Sequence, residues 1–177
     1  PYRASKSRFN RMALDLLPNF RLALEAASDP WNLAVRLAIA GNVMDLGVKS
    51  GLTEAQIQES IAGALAEPID GDTAEFAASV RDAQRILYLT DNTGEIVFDR
   101  WLIEQIPPEK VTVGVRGAPV INDATLKDAE QAGLTQLVEV IDNGSDAPGT
   151  LLRDCSETFQ GRFADADLVI AKGQGNY

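Results

Sequence analysis

Four short apolar runs in the second half of the chain constrain the fold more than any other feature. Each run is mostly apolar, and the first three are each followed by an amphipathic, helix-like stretch. This alternation is typical of βαβ units, and unbroken apolar strands are expected where helices cover both faces of a parallel sheet. The runs are residues 86–89, 111–115, 137–141 and 168–171, and the helix-like stretches are residues 94–106, 124–132 and 150–163. The sequence therefore predicts an α/β fold with a parallel-rich, doubly wound sheet.

Residues 1–84 have a different apolar period and are predicted to form an N-terminal helical portion. Apolar residues recur there every three or four positions, as on one face of a helix. Pro18 and Pro30 suit the first turns of helices, and Asp29 is placed to cap the second of these. Two further helices, over 54–66 and 73–84, are predicted from the capping-box pairs Thr53 with Gln56 and Asp72 with Glu75. We therefore divide the chain into a helical portion, 1–84, and an α/β portion, 85–177.

Both ends of the chain look cut. The sequence starts at Pro1 without a methionine, and it stops at Tyr177 directly after a predicted strand and a glycine-rich loop. An open parallel sheet would still need covering elements at that point. We therefore expect a chain truncated at both ends.

The charge of the chain argues against a nucleic-acid partner. The formal net charge is −10, from 26 acidic and 16 basic residues, so the average field repels a phosphate backbone. Basic residues are densest at Arg3, Lys6, Arg8 and Arg11, where they alternate with apolar residues as on a solvated helix face. We expect neither a nucleic-acid nor a membrane partner, and the oligomeric state stays open.

The absence of histidine limits the chemistry that this chain can perform. With no histidine and the single Cys155, it has neither a structural zinc site nor a Ser-His or Cys-His nucleophile. Chemistry must then depend on carboxylates, amides, lysine, arginine or a hard metal ion. The sequence also contains no signal-peptide pattern and no apolar run of membrane-spanning length, so we expect a cytoplasmic protein.

Polar, glycine-containing loops follow all four predicted strands. In open α/β sheets, ligands bind beyond the carboxyl ends of the strands, and parallel topology places these ends on one rim. The four loops are residues 90–95, 116–123, 142–149 and 172–176. We therefore expect the functional site where these loops meet.

The first two loops carry oxygen ligands suited to a divalent metal ion. Asp91, Asn92 and Asp123 offer two carboxylates and an amide oxygen, a set that magnesium or manganese accepts while keeping sites for water and a substrate phosphate. Arg116 and Lys172 could then hold the phosphate oxygens. Next to this set, the sequence spacing puts Glu95 and Asp99 on one face of the helix that begins beside Asp91, and the amino terminus of that helix is itself suited to anions.

Each of these features also has an ordinary structural interpretation. Asp-Asn-x-Gly is common turn chemistry, and Asp123 could merely cap a helix from Ala124. Residues 142–144 read as a plain turn, and Asn42 reads as a helix-end residue. Cys155 reads as a small buried residue within a helix. The coincidence of four such loops on one rim favours the functional interpretation.

Five short motifs together resemble the damage-control phosphatases, a family formerly known as a domain of unknown function and related to a protein described as an acidic-residue methyltransferase. They occur in the family's order and cover most of the chain. The motifs are Gly41-Asn42-x-x-Asp45, Asp91-Asn92-x-Gly94-Glu95, Arg116-Gly117-x-Pro119-x-x-Asn122-Asp123, Asp142-Asn143-Gly144 and Lys172-Gly173-x-Gly175-Asn176. The Arg-Gly-x-Pro form and the short loops are more similar to those of the family's prokaryotic branch than to those of its eukaryotic sugar-phosphate branch.

The resemblance implies a helical portion packed on an α/β domain and a divalent ion, manganese, magnesium, cobalt or nickel, held by Asp91, Asn92 and Asp123. It also implies hydrolysis of small phosphorylated metabolites, often sugar phosphates. The mechanistic hypothesis is in-line attack on the phosphoryl group either by water activated at the metal or by a carboxylate.

The residue roles follow from this hypothesis. Asp91 is either a ligand or the nucleophile, and Glu95 is a candidate for orienting water or moving protons. Arg116 and Lys172 would stabilise the phosphoryl oxygens. Three asparagines, Asn42, Asn122 and Asn176, would make secondary polar contacts with the substrate.

Three alternatives remain at this point. An S-adenosylmethionine-dependent carboxyl methyltransferase is loosely compatible with the glycine-rich loops, although clustered carboxylates have no evident use in methyl transfer. A non-catalytic module that binds a phosphorylated ligand is a second alternative. The third is a stable structural piece whose activity requires absent flanking regions.

Overall fold

The computed structural model describes residues 2–44 and 53–176, with side chains described for residues 6–44, 53 and 55–176. Within these ranges, the helices with described bounds before the first strand are α1 (Tyr2–Ala26), α2 (Pro30–Ala40), α3 (Glu54–Ala66) and α4 (Thr73–Asp82). Strands and helices then alternate as β1 (Ile86–Leu89), α5 (Glu95–Ile103), β2 (Val111–Val115), α6 (Leu126–Gln131), β3 (Glu139–Asp142), α7 (Glu157–Asp165) and β4 (Leu168–Ala171). Short 3₁₀ turns occur at 108–110, 134–136, 152–154 and 174–176.

The four strands form one parallel sheet in the order β3-β2-β1-β4. β1 lies inside the sheet between β2 and β4, and all four of its residues are buried. Its side chains alternate between two apolar layers. Ile86 and Tyr88 belong to the large core with α1, α2, α5 and α6, whereas Leu87 and Leu89 pack with Phe159 of α7. Helices therefore cover both faces, which confirms the predicted α/β, doubly wound architecture.

The sheet extends from β1 in both directions, with β2 and β3 on one side and β4 on the other. The crossovers through α5 and α6 lead outward to β2 and β3 on one face, and the crossover through α7 returns on the other face to β4. The carboxyl ends of β1 and β4 therefore border the topological switch point, where open α/β sheets bind ligands.

Local capping signals account for the helix starts in the first part of the chain. Asp29 accepts a hydrogen bond from the Asn32 amide and Pro30 occupies the first helical turn, as predicted. Thr53 and Gln56 form a complete capping box. Asp72 accepts from the amides of the first turn of α4. The α3 helix ends at Ala66, as predicted, and α4 ends at Asp82, two residues before its predicted end.

Three local predictions were wrong. Pro18 lies inside α1 instead of starting a helix, because buried Leu16 and Leu24 on either side anchor the helix to the core and offset the missing hydrogen bond. The helix predicted from residue 124 begins at Leu126, where Thr125 caps it through a capping box with Asp128, so the alternative in which Asp123 caps this helix does not hold. The helix predicted from residue 150 begins at Glu157, because the Thr150 amide donates to the Gly175 carbonyl and ties that segment to the loop after β4.

No helix in the described ranges is both long and apolar enough to cross a membrane.

Gly114 in β2 determines how closely α7 packs on the sheet. A Cβ atom there would lie 2.9 Å from Phe159 Cε2 and 3.1 Å from Leu89 Cδ2. Both neighbours are fully buried, so neither ring nor methyl group has free space to move into.

We expect Gly114→Ala to lower the free energy of unfolding by about 1–3 kcal/mol, because overpacking displaces Phe159. Gly63→Ala on α3 is the matched control, since among the described residues, apart from its chain neighbours and the nearby backbone of its own helix, no atom lies within 4 Å of the position that its methyl group would take. This substitution should stabilise the chain by about 0.5–1 kcal/mol. Urea unfolding of both variants measures the two changes. Equal effects at the two glycines would contradict the packing role of Gly114.

Candidate active site

The four strand-end loops meet at one rim, as predicted, and the first, second and fourth of them border a cleft of about 540 Å³ together with residues at the end of α2. Six of the candidate residues line this cleft: Asn42, Asp91, Asn92, Glu95, Asn122 and Lys172. Ile39, Ile121, Gly173, Gln174 and Gly175 complete its lining. Arg116, Asp123 and Asn176 are not among the lining residues. Asp45, from the first motif, lies outside the described residues.

Asp91 lies between the ends of β1 and β4, where it packs directly against Gly173. A side chain at position 173 would overlap the carboxylate of Asp91, and Gly173 also has a positive φ of 77°. The backbone of the first loop is tied to the second, since Ala124 N donates to the Asp91 carbonyl and Thr93 N donates to the Asn122 carbonyl. Asp91 and Asp123 are therefore held on two loops that bond to each other.

The carboxyl group of Asp91 is in an environment that disfavours its charge. Burial is the largest cause, followed by the nearby carboxylates of Glu95 and Asp123; together they raise the pKa of Asp91 to about 6 against the opposing effect of Arg116 and Lys172. Asn92 Nδ2 donates to Asp91 Oδ2 at 2.8 Å and to Glu95 Oε2 at 3.4 Å. A cation close to Asp91 would relieve this repulsion.

Lys172 is surrounded by acceptors. Its ammonium group donates to Glu95 Oε1 at 2.6 Å, to Asp99 Oδ1 at 2.7 Å and to the Ala38 carbonyl at 2.9 Å. Glu95 and Asp99 thus share one helix face, as their spacing predicted. Since all three N–H donors are engaged, phosphate binding by Lys172 requires replacement of one of these contacts, and that role stays a prediction.

The carboxylate of Asp99 extends the cluster into the core. It is fully buried, and Tyr88 donates to its Oδ1 atom at 2.8 Å, while Oδ2 has no partner among the described residues. Burial raises the pKa of Asp99 to about 6, a rise limited by the Lys172 ammonium. Burial disfavours the charged form of Lys172, but attraction to Asp99 and Glu95 outweighs it and raises the pKa of Lys172 above its ordinary value. The pair is therefore ionised near neutral pH.

Arg116 binds Asp123 and connects three of the loops. Its Nε donates to Asp123 Oδ2 at 2.6 Å, and its terminal nitrogens donate to Thr150 Oγ1 and to Asn176 Oδ1. Asn176 in turn donates to the carbonyls of Thr90 and Lys172. Arg116 is 3% exposed, so it orients Asp123 from beneath the cleft surface, and direct phosphate contact by Arg116 or Asn176 stays a prediction.

The side chains present fit a divalent cation in charge and in ligand type. Four carboxylates, Asp91, Glu95, Asp99 and Asp123, face the two cations Arg116 and Lys172, which leaves two negative charges in excess. Within the described ranges, no three or more cysteine and carboxylate side chains are grouped to hold a metal ion, so an amide ligand would be needed. Asn92 turns its amino group toward the carboxylates, and ligation through Oδ1 would require the amide to rotate.

Several residues at the site were not predicted from the sequence. Lys6 was placed on a solvated helix face, but it is buried and its ammonium group donates to the Asp123 carbonyl. The sequence signal was its spacing from Asn10 and Ala13, which puts all three on the buried stripe of α1. Ile39 and Ile121 flank the cleft with 50% and 53% of their surface exposed.

Two other features follow the ordinary structural interpretation. Asn143 Oδ1 accepts from the amides of Gly117 and Ser145, which makes the third loop a turn that supports the second. Cys155 is buried as predicted, although it precedes α7 rather than lying within a helix.

Comparison with known proteins shows which family this chain resembles. A model of the damage-control phosphatase ARMT1-like domain matches residues 1–177. An uncharacterised protein of Methanocaldococcus jannaschii is 39% identical over 100% of this chain and 60% of its own length. A damage-control phosphatase of Archaeoglobus fulgidus is 34% identical over 100% of this chain and 62% of its own length.

A solved structure shows the same fold. The crystal structure of a DUF89 family protein from Pyrococcus horikoshii superposes with a TM-score of 0.86 at 36% identity, covering 99% of this chain and 61% of the other. The chain thus spans about three fifths of the length of these relatives.

We expect Lys172→Met to destabilise the fold by about 3–5 kcal/mol at pH 7.5, because the fully buried Asp99 would lose its cation. Burial raises the pKa of Asp99 to about 6 even with Lys172 present, so as the pH falls toward 5 this carboxylate takes up a proton in the folded variant and the penalty should shrink. Urea unfolding at both pH values tests this, with the exposed Lys127→Met as control. An equal loss at both pH values would show that the lost contacts are not electrostatic.

We expect Asp91→Asn to stabilise the metal-free chain by about 1–2 kcal/mol at pH 7.5, allowing for the solvent contact of this half-buried group. The pKa of Asp91 is raised from 3.8 to about 6 in the folded chain. The ionised carboxylate of Asp91 therefore does not destabilise the fold below pH 4, destabilises it increasingly between pH 4 and 6, and has its full effect above pH 6. The gain should therefore vanish near pH 4. Melting temperatures across this range measure it, with exposed Asp15→Asn of α1 as control. A lower melting temperature for Asp91→Asn than for the wild type at pH 7.5 would contradict the conclusion that burial and neighbouring carboxylates disfavour the charge of Asp91.

Proposed function

The chain belongs to the damage-control phosphatase ARMT1-like domain family, and from this premise we propose that it carries the active site of a divalent-metal-dependent phosphatase. Relatives named damage-control phosphatases support a phosphatase-type function. We further propose that the substrates are small phosphorylated metabolites of the sugar-phosphate type.

The excess negative charge around Asp91 is the observation that carries the metal dependence. Burial and two neighbouring carboxylates, Glu95 and Asp123, raise the pKa of Asp91 to about 6. A neutral residue at position 91 would raise the free energy of unfolding, so stability alone does not explain an aspartate there. A divalent cation held here would offset this repulsion and would allow an anionic phosphate to enter a carboxylate-lined cleft.

Asp91, Asn92 and Asp123 would hold the ion. Such an ion polarises phosphoryl oxygens and lowers the pKa of water. The protein's own part is to orient these ligands. Arg116 fixes one oxygen of Asp123 at 2.6 Å, which leaves the other oxygen for the ion. The absence of a side chain at Gly173 leaves the space that the carboxylate of Asp91 occupies.

Glu95 and Lys172 would act on the opposite side of Asp91. Glu95 lines the cleft and is held by Lys172 at 2.6 Å, so its second oxygen is directed toward Asn92 and the cleft. From there it can accept a proton from water that attacks the phosphoryl group. Lys172 would stabilise the phosphoryl oxygens by exchanging its contact with the Ala38 carbonyl for one with substrate.

The size and lining of the cleft support a small, polar substrate. A volume of about 540 Å³ is in the range of small-molecule sites. Asn42, Asn122 and Gln174 offer amides to hydroxyl groups at its border. Ile39 and Ile121 give the same border an apolar surface on which the carbon face of a sugar ring can pack.

We expect this chain to hydrolyse p-nitrophenyl phosphate and a set of sugar phosphates only when Mn²⁺, Mg²⁺, Co²⁺ or Ni²⁺ is added, and EDTA should abolish turnover. Asp91→Asn and Asp123→Asn should each lower kcat/KM by about 100-fold or more, because each removes a metal ligand. Exposed Asp15→Asn should match the wild type.

Two results would overturn the proposal. Full metal-dependent activity in Asp91→Asn would remove Asp91 from the site. Tight binding of phosphate esters with no turnover under any of the four metals would instead identify a ligand-binding module. Assaying a chain of the relatives' full length in parallel shows which activities need more than these 177 residues.

A further inference from the structure

The first helix reaches the active-site rim through two buried polar side chains. Lys6 is 8% exposed and Asn10 is 1% exposed, although both belong to residue types that are normally solvated. Each contacts the backbone of a different loop that bears proposed metal ligands. Their contacts span 117 and 84 positions of the sequence, respectively.

Lys6 holds the loop that carries Asp123. Its ammonium group donates to the Asp123 carbonyl at 2.6 Å and pairs with Asp128 Oδ2 at 2.8 Å. This loop includes Ile121, a β-branched residue at a φ of 43°. Such a conformation is unfavourable for isoleucine and persists only where surrounding contacts enforce it. Lys6 supplies one of those contacts two residues away.

Asn10 holds the loop that carries Asp91 and Asn92. Its carbonyl oxygen accepts from Gly94 N at 2.9 Å. Gly94 has a φ of 84° and directly precedes α5, and as a glycine it has no side chain to cap that helix. Asn10 therefore satisfies one of the open amides at the start of the helix that bears Glu95 and Asp99.

Asp128 joins the two contacts into one unit. Its Oδ1 atom accepts from Asn10 Nδ2 at 3.0 Å, and its Oδ2 atom accepts from Lys6 and from Thr125. Asn10 also donates to Gln131 Oε1 at 2.7 Å. A change at either residue of α1 thus leaves a buried polar group in α6 or in a ligand loop without its partner.

We propose that Lys6 and Asn10 are positioning residues that hold the Asp91 and Asp123 loops at the separation which metal binding requires. The inference rests on the proposed function, in that it takes Asp91, Asn92 and Asp123 as the ligands. Neither residue lines the cleft; each acts through a backbone atom of a ligand loop. Outer contacts of this kind typically change metal affinity by about 10- to 100-fold.

The test compares Lys6→Met and Asn10→Ala with the wild-type chain. We expect Lys6→Met to accelerate amide hydrogen exchange in residues 120–125, and Asn10→Ala to do so in residues 92–97, each by about 10-fold or more. Both variants should bind Mn²⁺ in calorimetric titration about 10-fold or more weakly than the wild type. In the phosphatase assay, the Mn²⁺ concentration for half-maximal activity should increase by a larger factor than the factor by which kcat decreases.

Arg36→Met is the matched control. Arg36 is also a partly buried cation that ties a helix to backbone carbonyls, donating to Leu65 and Glu67 at 3.1 and 2.7 Å. These contacts hold α2 to the end of α3, away from the ligand loops, so we expect lower stability with unchanged Mn²⁺ affinity.

The outcomes separate the two proposals. Unchanged exchange in both loops, or faster exchange with unchanged Mn²⁺ affinity, would overturn the positioning role. The same loss of affinity in Arg36→Met would overturn it too, because general destabilisation would then explain the result. A wild-type chain that binds no Mn²⁺ would contradict the proposed function, and the exchange rates alone would still decide whether α1 holds the loops.

Discussion

The ammonium group of Lys172 joins three parts of the molecule that are distant in sequence. It follows β4, it binds Glu95 and Asp99 on α5, and its third contact is the Ala38 carbonyl on α2. Two carboxylates on one buried helix face would repel each other and disfavour burial without this cation. The packing of the helical layer against the sheet, and the direction in which Glu95 points, therefore depend on one charge being in place.

The arrangement of charge around the cleft is a compromise between stability and binding. Arg116 neutralises Asp123 and Lys172 is shared by Glu95 and Asp99, so Asp91 has no dedicated cation within the described part of the chain. The fold thereby keeps one carboxylate in an unfavourable, half-buried position at the switch point of the sheet. Local destabilisation of this kind is common at sites that are completed by a ligand.

The sequence allowed accurate prediction of features that depend on local patterns. Three of the four strands were located to the residue because each is a short, mostly apolar run, whereas β3 begins two residues later than predicted, after a 3₁₀ turn at Leu134–Gln136. The meeting of the loops on one rim followed from topology alone. The partner of each charge could not be predicted in this way. Lys172 was assigned to phosphate, but its contacts lie 73 to 134 positions away in sequence, and no local pattern specifies them.

The contact between Lys6 and the Asp123 carbonyl has a consequence for how the chain folds. The bonds that hold the rim together close loops of roughly a hundred residues, among them those of Lys6 with Asp123 and Lys172 with Ala38. Helices and neighbouring strands form from contacts that are much closer in sequence and are therefore made sooner. Even after the β1–β2 and β2–β3 pairs have formed, the cleft is incomplete until the first helix and the last loop have both docked, so we expect the site to be among the last parts of the fold to form.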